Sequence, residues 1–228
     1  MVEAGTGTGK SYAYLVPAAL WAMQNNTRVV ISTNTINLQE QLIQKDIPEL
    51  REALNLDEAH GNALRAAVLK GRANYLCPRR LENLRRRGPE TPDEARVLAK
   101  ALVWLHQGGS GDKAALNLNG PAENEIWVRL SAEDDQCTSE NCLKHTSGGC
   151  PFYRARQSAQ SAHILVVNHA LLLSDVAVGG RVLPDYDYLI VDEAHHLEEA
   201  TTHALSFHIT QGEIDRALRE LGGPNSGA

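Results

Sequence analysis

The run Ala4-Gly-Thr-Gly-Thr-Gly-Lys-Ser11 leaves this chain few ways to fold. It follows the phosphate-loop pattern G-x-x-x-x-G-K-[ST], with Ala4 where the first glycine is asked for. Gly5, Gly7 and Gly9, with Thr6 and Thr8 between them, let the backbone curl so that successive N–H groups point at phosphate oxygens. An apolar helix follows at once, and its positive end aims at the same place. Lys10 would then reach the β- and γ-phosphates of a nucleotide, and Ser11 would hold Mg²⁺ through its hydroxyl. A flexible Gly/Thr linker is the plain alternative, but it gives no reason for Gly-Lys-Ser to run straight into a helix. Such a loop hangs from the end of a buried strand, and only Val2 precedes Glu3 as strand material. The chain is therefore expected to begin inside a fold.

A hydrophobic fraction of 43% suffices for a packed core. The net charge of −6 argues against a uniformly basic nucleic-acid coat and leaves room for a local basic track. No apolar run approaches a membrane span and no signal peptide is visible, so the expected location is cytoplasmic. In a reducing compartment the four cysteines, Cys77, Cys137, Cys142 and Cys150, point to metal or cluster ligation rather than disulfides.

The α/β alternation is readable in order. Ser11 to Gln24 is expected to be helical, with Leu15, Ala18, Ala19 and Ala22 as its buried stripe and a kink at Pro17. Arg28 to Thr33 is a strand buried on both faces. Asn34 or Thr35 caps a helix over Ile36 to Gln44, Pro48 opens another, and Ala66 to Lys70 is a second strand. The pattern then changes. Arg79 to Arg87 is a basic helix, and Thr91-Pro-Asp-Glu94 is a capping box for a helix burying Leu98, Ala101, Leu102 and Leu105 before Gly108-Gly109. Ala122 to Leu130 is a further helix. Residues 131–151 are polar, carry three cysteines and lack the apolar mass to fold without a metal or cluster. Strands return at His163–Val167 and Tyr186–Val191, both expected to be buried, with a helix from Asn168. Ser206 to Thr210 reads as a strand and Gly212 to Leu221 as a helix.

A carboxylate at the end of a buried strand is where an NTPase holds Mg²⁺, and Asp192 in YLIVDEAHH fits that place. Glu193 can orient and deprotonate the attacking water. His195 would lie beside the γ-phosphate and report its state to a second domain. An isolated Asp-Glu pair would read as a helix cap with an acidic first turn; the phosphate loop upstream changes the balance.

Asp192-Glu-Ala-His195 resembles the DEAH box of superfamily-two helicases. Together with EAGTGTGKS, TNTINLQEQL, KGRANYLC, VVNHALL and VDEAHHLEE, it is similar to the DinG branch of the XPD-like iron–sulfur DNA helicases through nearly the whole chain. Ala4 is ordinary in that family's loop. The resemblance implies an α/β fold: a RecA-like P-loop motor domain with a parallel sheet, interrupted by a mainly helical iron–sulfur insertion. Residues 1–70 and 164–200 would form the motor domain, 71–163 the cluster domain, and 201–228 the start of an arch insertion. It implies ATP, Mg²⁺ and a 4Fe–4S cluster on Cys77, Cys137, Cys142 and Cys150. Spacing alone would not show the cluster, although the tight C-x₂-C pair common in zinc sites is absent.

It also implies 5′–3′ unwinding along single-stranded and forked DNA, with a DNA-repair role. Asn34, Thr35 and Gln39 match the motif that touches the DNA backbone. Arg72, Arg79, Arg80, Arg85 and Arg86, with Lys70 and Arg87, are candidates for a strand track beside the cluster, against the plain reading of a solvated charged face. His169 lies in the NHALL signature without a physical role of its own. The second, C-terminal RecA-like domain is expected to be missing, leaving this chain alone weak in ATP binding and unable to unwind. Two other classes stay open: a non-catalytic iron–sulfur module that binds DNA and senses redox state, and a zinc-stabilised P-loop ATPase.

Overall fold

The computed structural model describes residues 3, 8–56, 63–133, 137, 142, 149–205, 211 and 214. Four parallel strands form its sheet: β1 (Val29–Thr33), β2 (Ala66–Val68), β3 (Ile164–Asn168) and β4 (Tyr188–Val191), in the spatial order β2-β3-β1-β4. β1 is buried at all five positions, as its unbroken apolar run demands of a central parallel strand. Its alternate side chains serve two cores. Val29 and Ile31 join Ile164 and Val166 beneath helix α1 (Lys10–Asn25) and the helix α3 (Ile47–Leu54). Val30 joins Ala67, Leu165 and Val167 on the opposite face.

α1 buries Leu15, Ala18, Ala19 and Ala22, the stripe its spacing predicts, and runs through Pro17. Thr35 rather than Asn34 caps α2 (Ile36–Gln41), accepting from the Leu38 N–H. A π-helical turn over Leu42–Asp46 then leads directly into α3, where the sequence suggested separate helices.

Between β2 and β3 lie the helices α4 (Pro78–Arg87), α5 (Pro92–His106), α6 (Gly120–Leu130) and α7 (Pro151–Ser161). The capping box forms: the Thr91 hydroxyl accepts from the Glu94 N–H at 3.1 Å. Leu76, Leu81, Leu84, Val97, Ala101, Ile126, Trp127 and Leu130 make a third core. α5 turns Val97 inward, and Leu102 is 39% exposed, correcting its expected burial. A fourth core gathers the four cysteines with Tyr75, Ala132 and Phe152.

After β3 come α8 (His169–Ala177), capped by Asn168 through the Leu171 N–H, then β4 and α9 (Leu197–Leu205). β4 is not the buried strand expected: it is the outer strand of the described sheet, with Tyr188 and Leu189 more than 40% exposed. The expected strand at 206–210 lies outside the described residues, as does nearly all of the helix expected at 212–221. No described helix is long and apolar enough to cross a membrane.

Candidate functional site

Parallel strands place functional loops at their carboxyl ends. Here β1 ends at Thr33 before Asn34 and Thr35, β3 ends before His169, and β4 ends before Asp192. The phosphate loop is described from Thr8; Ala4, Gly5, Thr6 and Gly7 lie outside the described residues. Gly9 sits at φ 82°, a left-handed conformation that suits glycine, and hands the chain to α1 at Lys10.

Lys10 Nζ donates to Glu193 Oε1 at 2.8 Å, joining two motifs that lie 183 residues apart. This bond holds the Lys10 ammonium above its ordinary pKa and the Glu193 carboxyl below its own. The Asp192 backbone N–H donates to the Ser32 carbonyl at 2.8 Å, so β1 anchors the acidic turn. Asp192 Oδ1 accepts the Glu193 N–H at 3.0 Å, and Oδ2 accepts the Tyr14 hydroxyl at 3.0 Å. Tyr14 stands on the same helix as Ser11, three residues on, so the helix that opens at the expected Mg²⁺ ligand Ser11 is bonded to the other, Asp192. Burial and then the Asp192 charge push the Tyr14 pKa up, keeping it a neutral donor.

Glu193 has φ 54°, in the left-handed region where a side chain costs roughly 1–2 kcal/mol. His195 projects outward, 67% exposed, with Nε2 3.5 Å from Glu193 Oε2 and its ring 4.1 Å from that of His196. Sequence reasoning missed Tyr14 and Ser32. Tyr14 had a faint signal, standing at i+3 from Ser11 on the same helical face. Ser32 had none. His169 is wholly buried, with Nδ1 2.7 Å from Ser32 Oγ. Burial lowers its pKa, and the neighbouring acidic turn works against that.

The cysteines converge from distant segments. Cys77 and Cys150 occupy the same local position, each the N-cap of a helix whose next residue is proline. A helix N-terminus favours thiolate over thiol. Cys137 Sγ lies 3.9 Å from Cys142 Sγ, and all four are buried and unbridged. Burial raises the Cys137 thiol, and pushes Cys142 up to about 12, with the charges of the other three cysteines adding to it. Ionised together, four such sulfurs would repel one another and need a central cation, so the chemistry of this donor set suits ligation of a metal or cluster. Arg72 stacks 5.0 Å over the Phe152 ring and donates to the Cys137 carbonyl at 3.1 Å. Gly111 closes the rim: a Cβ there would lie 2.1 Å from Pro151 Cγ.

Much of the basic run is engaged by internal partners. Arg85 and Arg86 both pair with Glu82, and Arg87 pairs with Glu90 and Glu94. Arg80 donates to the Val128 and Arg129 carbonyls, and Arg79 beside it is half-buried. Lys70 is 1% exposed, between Glu40 and Asp112, and so is removed from the expected track. Gln39 is fully buried and donates to the Leu69 carbonyl, so its side chain does not reach the surface where DNA contact was expected. Thr35 is exposed and Asn34 half-buried.

A parallel sheet covered on both faces, a helix opening on Lys10 and Ser11, and an acidic turn at the end of a neighbouring strand define a RecA-like α/β P-loop fold. Residues 130–214 match the DEAD_2 family. The chain is 35% identical over 224 residues to the 3'-5' exonuclease DinG of Bacillus subtilis (strain 168), covering 97% of this chain and 23% of that protein. It is 34% identical over 245 residues to the ATP-dependent helicase DinG of Mycobacterium tuberculosis (strain ATCC 25177 / H37Ra), covering 97% and 35% respectively. It is 36% identical over 206 residues to the ATP-dependent DNA helicase YoaA of Escherichia coli (strain K12), covering 87% and 30%. The chain is DinG-like over nearly its whole length, and spans between 23% and 35% of these relatives.

Proposed function

We propose that this chain is the nucleotide-binding motor unit, with its cysteine-bearing insertion, of an ATP-dependent DNA helicase. The contact between Lys10 and Glu193, with Asp192 bonded to Tyr14 of the helix that follows the phosphate loop, carries the reading. An ammonium at the start of the loop's helix beside the carboxylates of the acidic turn supports roles for them in phosphate binding, Mg²⁺ binding and water activation, which neither a redox-sensing DNA binder nor a structural domain requires. Lys10 and Ser11 would meet the phosphates, and Asp192 would hold Mg²⁺ through water. An arriving γ-phosphate competes with Glu193 for the Lys10 ammonium. Phosphate binding therefore frees the carboxylate, already ionised, to orient and deprotonate water. His195 lies beside that carboxylate and would report the change to a second domain.

In this reading residues 1–70 and 164–200 are the motor, 71–163 the cluster domain and 201–228 the start of an arch insertion. Cys77, Cys137, Cys142 and Cys150 hold a 4Fe–4S cluster, which supplies a rigid core to a segment short of apolar mass. The names of the Mycobacterium and Escherichia relatives support ATP and DNA as ligands. Translocation in the 5′–3′ direction on single-stranded or forked DNA, and help from a second motor domain, follow from the family resemblance.

The test is Lys10→Ala in the full-length protein. ATP turnover and unwinding should fall by about 10³-fold or more, while single-strand affinity stays within about threefold. Turnover that survives the substitution would remove Lys10 from the site. Iron with matching acid-labile sulfide after anaerobic purification supports the cluster; zinc without sulfide in material never exposed to air replaces it with a zinc site.

A further inference from the structure

His169 opens α8 directly behind β3, and nothing above uses it. The ring is fully buried against the end of β1. Its Nδ1 lies 2.7 Å from Ser32 Oγ. Ser32 in turn receives the Asp192 N–H at its carbonyl, 2.8 Å away. One residue of β1 therefore grips the catalytic turn by its main chain and the imidazole by its side chain. The Asn168 side chain caps α8 through the Leu171 N–H at 3.0 Å, which fixes the helical position from which the ring projects. The other ring nitrogen, Nε2, is buried without a hydrogen-bond partner among the described residues.

That backbone needs support. Glu193 is a non-glycine residue at φ 54°, a conformation that persists only where the surroundings hold it. Its carboxylate must stay in place after Lys10 turns to a phosphate, because the Lys10 bond restrains it only until then. A buried ring bonded to Ser32, the residue whose carbonyl holds the Asp192 N–H, is a support that nucleotide binding does not remove.

We infer that His169 is a positioning residue for ATP hydrolysis, propping the Asp192–Glu193 turn against the end of β1 through Ser32. The inference rests on the reading of Glu193 as the general base. Ser32 also stands two and three residues before Asn34 and Thr35, so the same support lies between the strand end expected at DNA and the catalytic turn.

The experiment is steady-state ATP turnover of the full-length protein, with and without single-stranded DNA. It compares the wild type with Lys10→Ala, His169→Phe, His169→Asn and Ser32→Ala. His169→Phe fills the volume but cannot bond Ser32, and through it the turn. Its kcat should fall by about 10²-fold, the size of a small misplacement of a catalytic group. The KM for ATP should stay within about threefold, because Lys10 and the loop are untouched. His169→Asn offers a polar group near the Nδ1 position and should recover about tenfold of the loss, and Ser32→Ala should be non-additive with His169→Phe. An unchanged kcat in folded His169→Phe overturns the inference. So does a fall in kcat that His169→Asn leaves uncorrected and that tracks a lowered melting temperature, which marks a packing role. If His169→Phe does not fold, Ser32→Ala and His169→Asn decide alone: wild-type kcat in both overturns the inference. A wild type that turns over no ATP, or turns over as well with Lys10→Ala, sinks the functional reading itself and the inference with it.

Discussion

Tyr14 stands one helical step above Ser11, and its hydroxyl settles where the Asp192 carboxylate points. Asp192 has two oxygens, and both are occupied: Oδ1 by the Glu193 N–H, Oδ2 by Tyr14. Tyr14→Phe removes the second bond while keeping the ring. The site is half-buried, so the loss of stability should be about 1 kcal/mol, visible as a small drop in melting temperature. The larger effect belongs to the metal. A loosened Asp192 should raise the Mg²⁺ concentration needed for half-maximal ATP turnover, and a Mg²⁺ titration identical to wild type would show that Tyr14 does not hold this carboxylate for the ion. The motif residues Lys10, Asp192 and Glu193 were legible because their chemistry is written in adjacent letters. Tyr14, Ser32 and His169 were not, because they act through contacts between segments far apart in the chain.

Among the elements, α5 and α6 illustrate charge used inside a helical core. Glu94 is 4% exposed, accepts the Glu90 N–H, and faces Arg87 and Arg129. Glu123 is 1% exposed, accepts the Asn119 N–H, and faces Lys100 and Arg96. In both, the backbone N–H is the first cause holding the carboxyl below its ordinary value of 4.5, and the basic partners add to it. A folded pKa below the unfolded one gives stability that is fully present above pH 4.5 and is lost as pH falls through the folded values. The helices between β2 and β3 should therefore loosen as the pH falls below the ordinary carboxylate value of 4.5. Tryptophan fluorescence should report this through Trp127, which is buried in their core with its Nε1 donating to the Ala73 carbonyl at 2.7 Å. A signal flat from pH 6 to 3 would contradict it. Capping signals such as Thr91 to Glu94 were readable from local letters; the inward turn of Val97 and outward turn of Leu102 were not, because three helices decide together which face is covered.

Over the whole molecule, Lys70 is the joint. Its side chain is 1% exposed and pairs with Glu40 of α2 and, at 2.5 Å, with Asp112 in the connection before α6. Its backbone N–H donates to the Tyr75 hydroxyl at 3.0 Å, and Tyr75 packs in the cysteine core against Phe152. The lysine thus ties the sheet unit to the helical insertion. Lys70→Ala leaves two partly buried carboxylates facing each other, and should cost about 3 kcal/mol in a denaturant or thermal melt. It should also loosen the helical insertion before the sheet unit. A loss under about 0.5 kcal/mol would mean that the joint is carried elsewhere. Read as one letter in a basic stretch, Lys70 looked like part of a DNA track; only the surrounding carboxylates show otherwise. Likewise the run YDYLIV reads as a buried strand, while its outer place in the described sheet leaves Tyr188 and Leu189 exposed. The sequence by itself determined the alternation of strands and helices, the phosphate loop, the acidic turn and the presence of four thiols, because each is encoded by local spacing and composition. Only long-range packing decides which basic residues are spent on internal partners, how Cys77 meets the other three cysteines, and how His169 comes to bond Ser32. There burial and charge pairing are settled by segments that the chain order keeps apart.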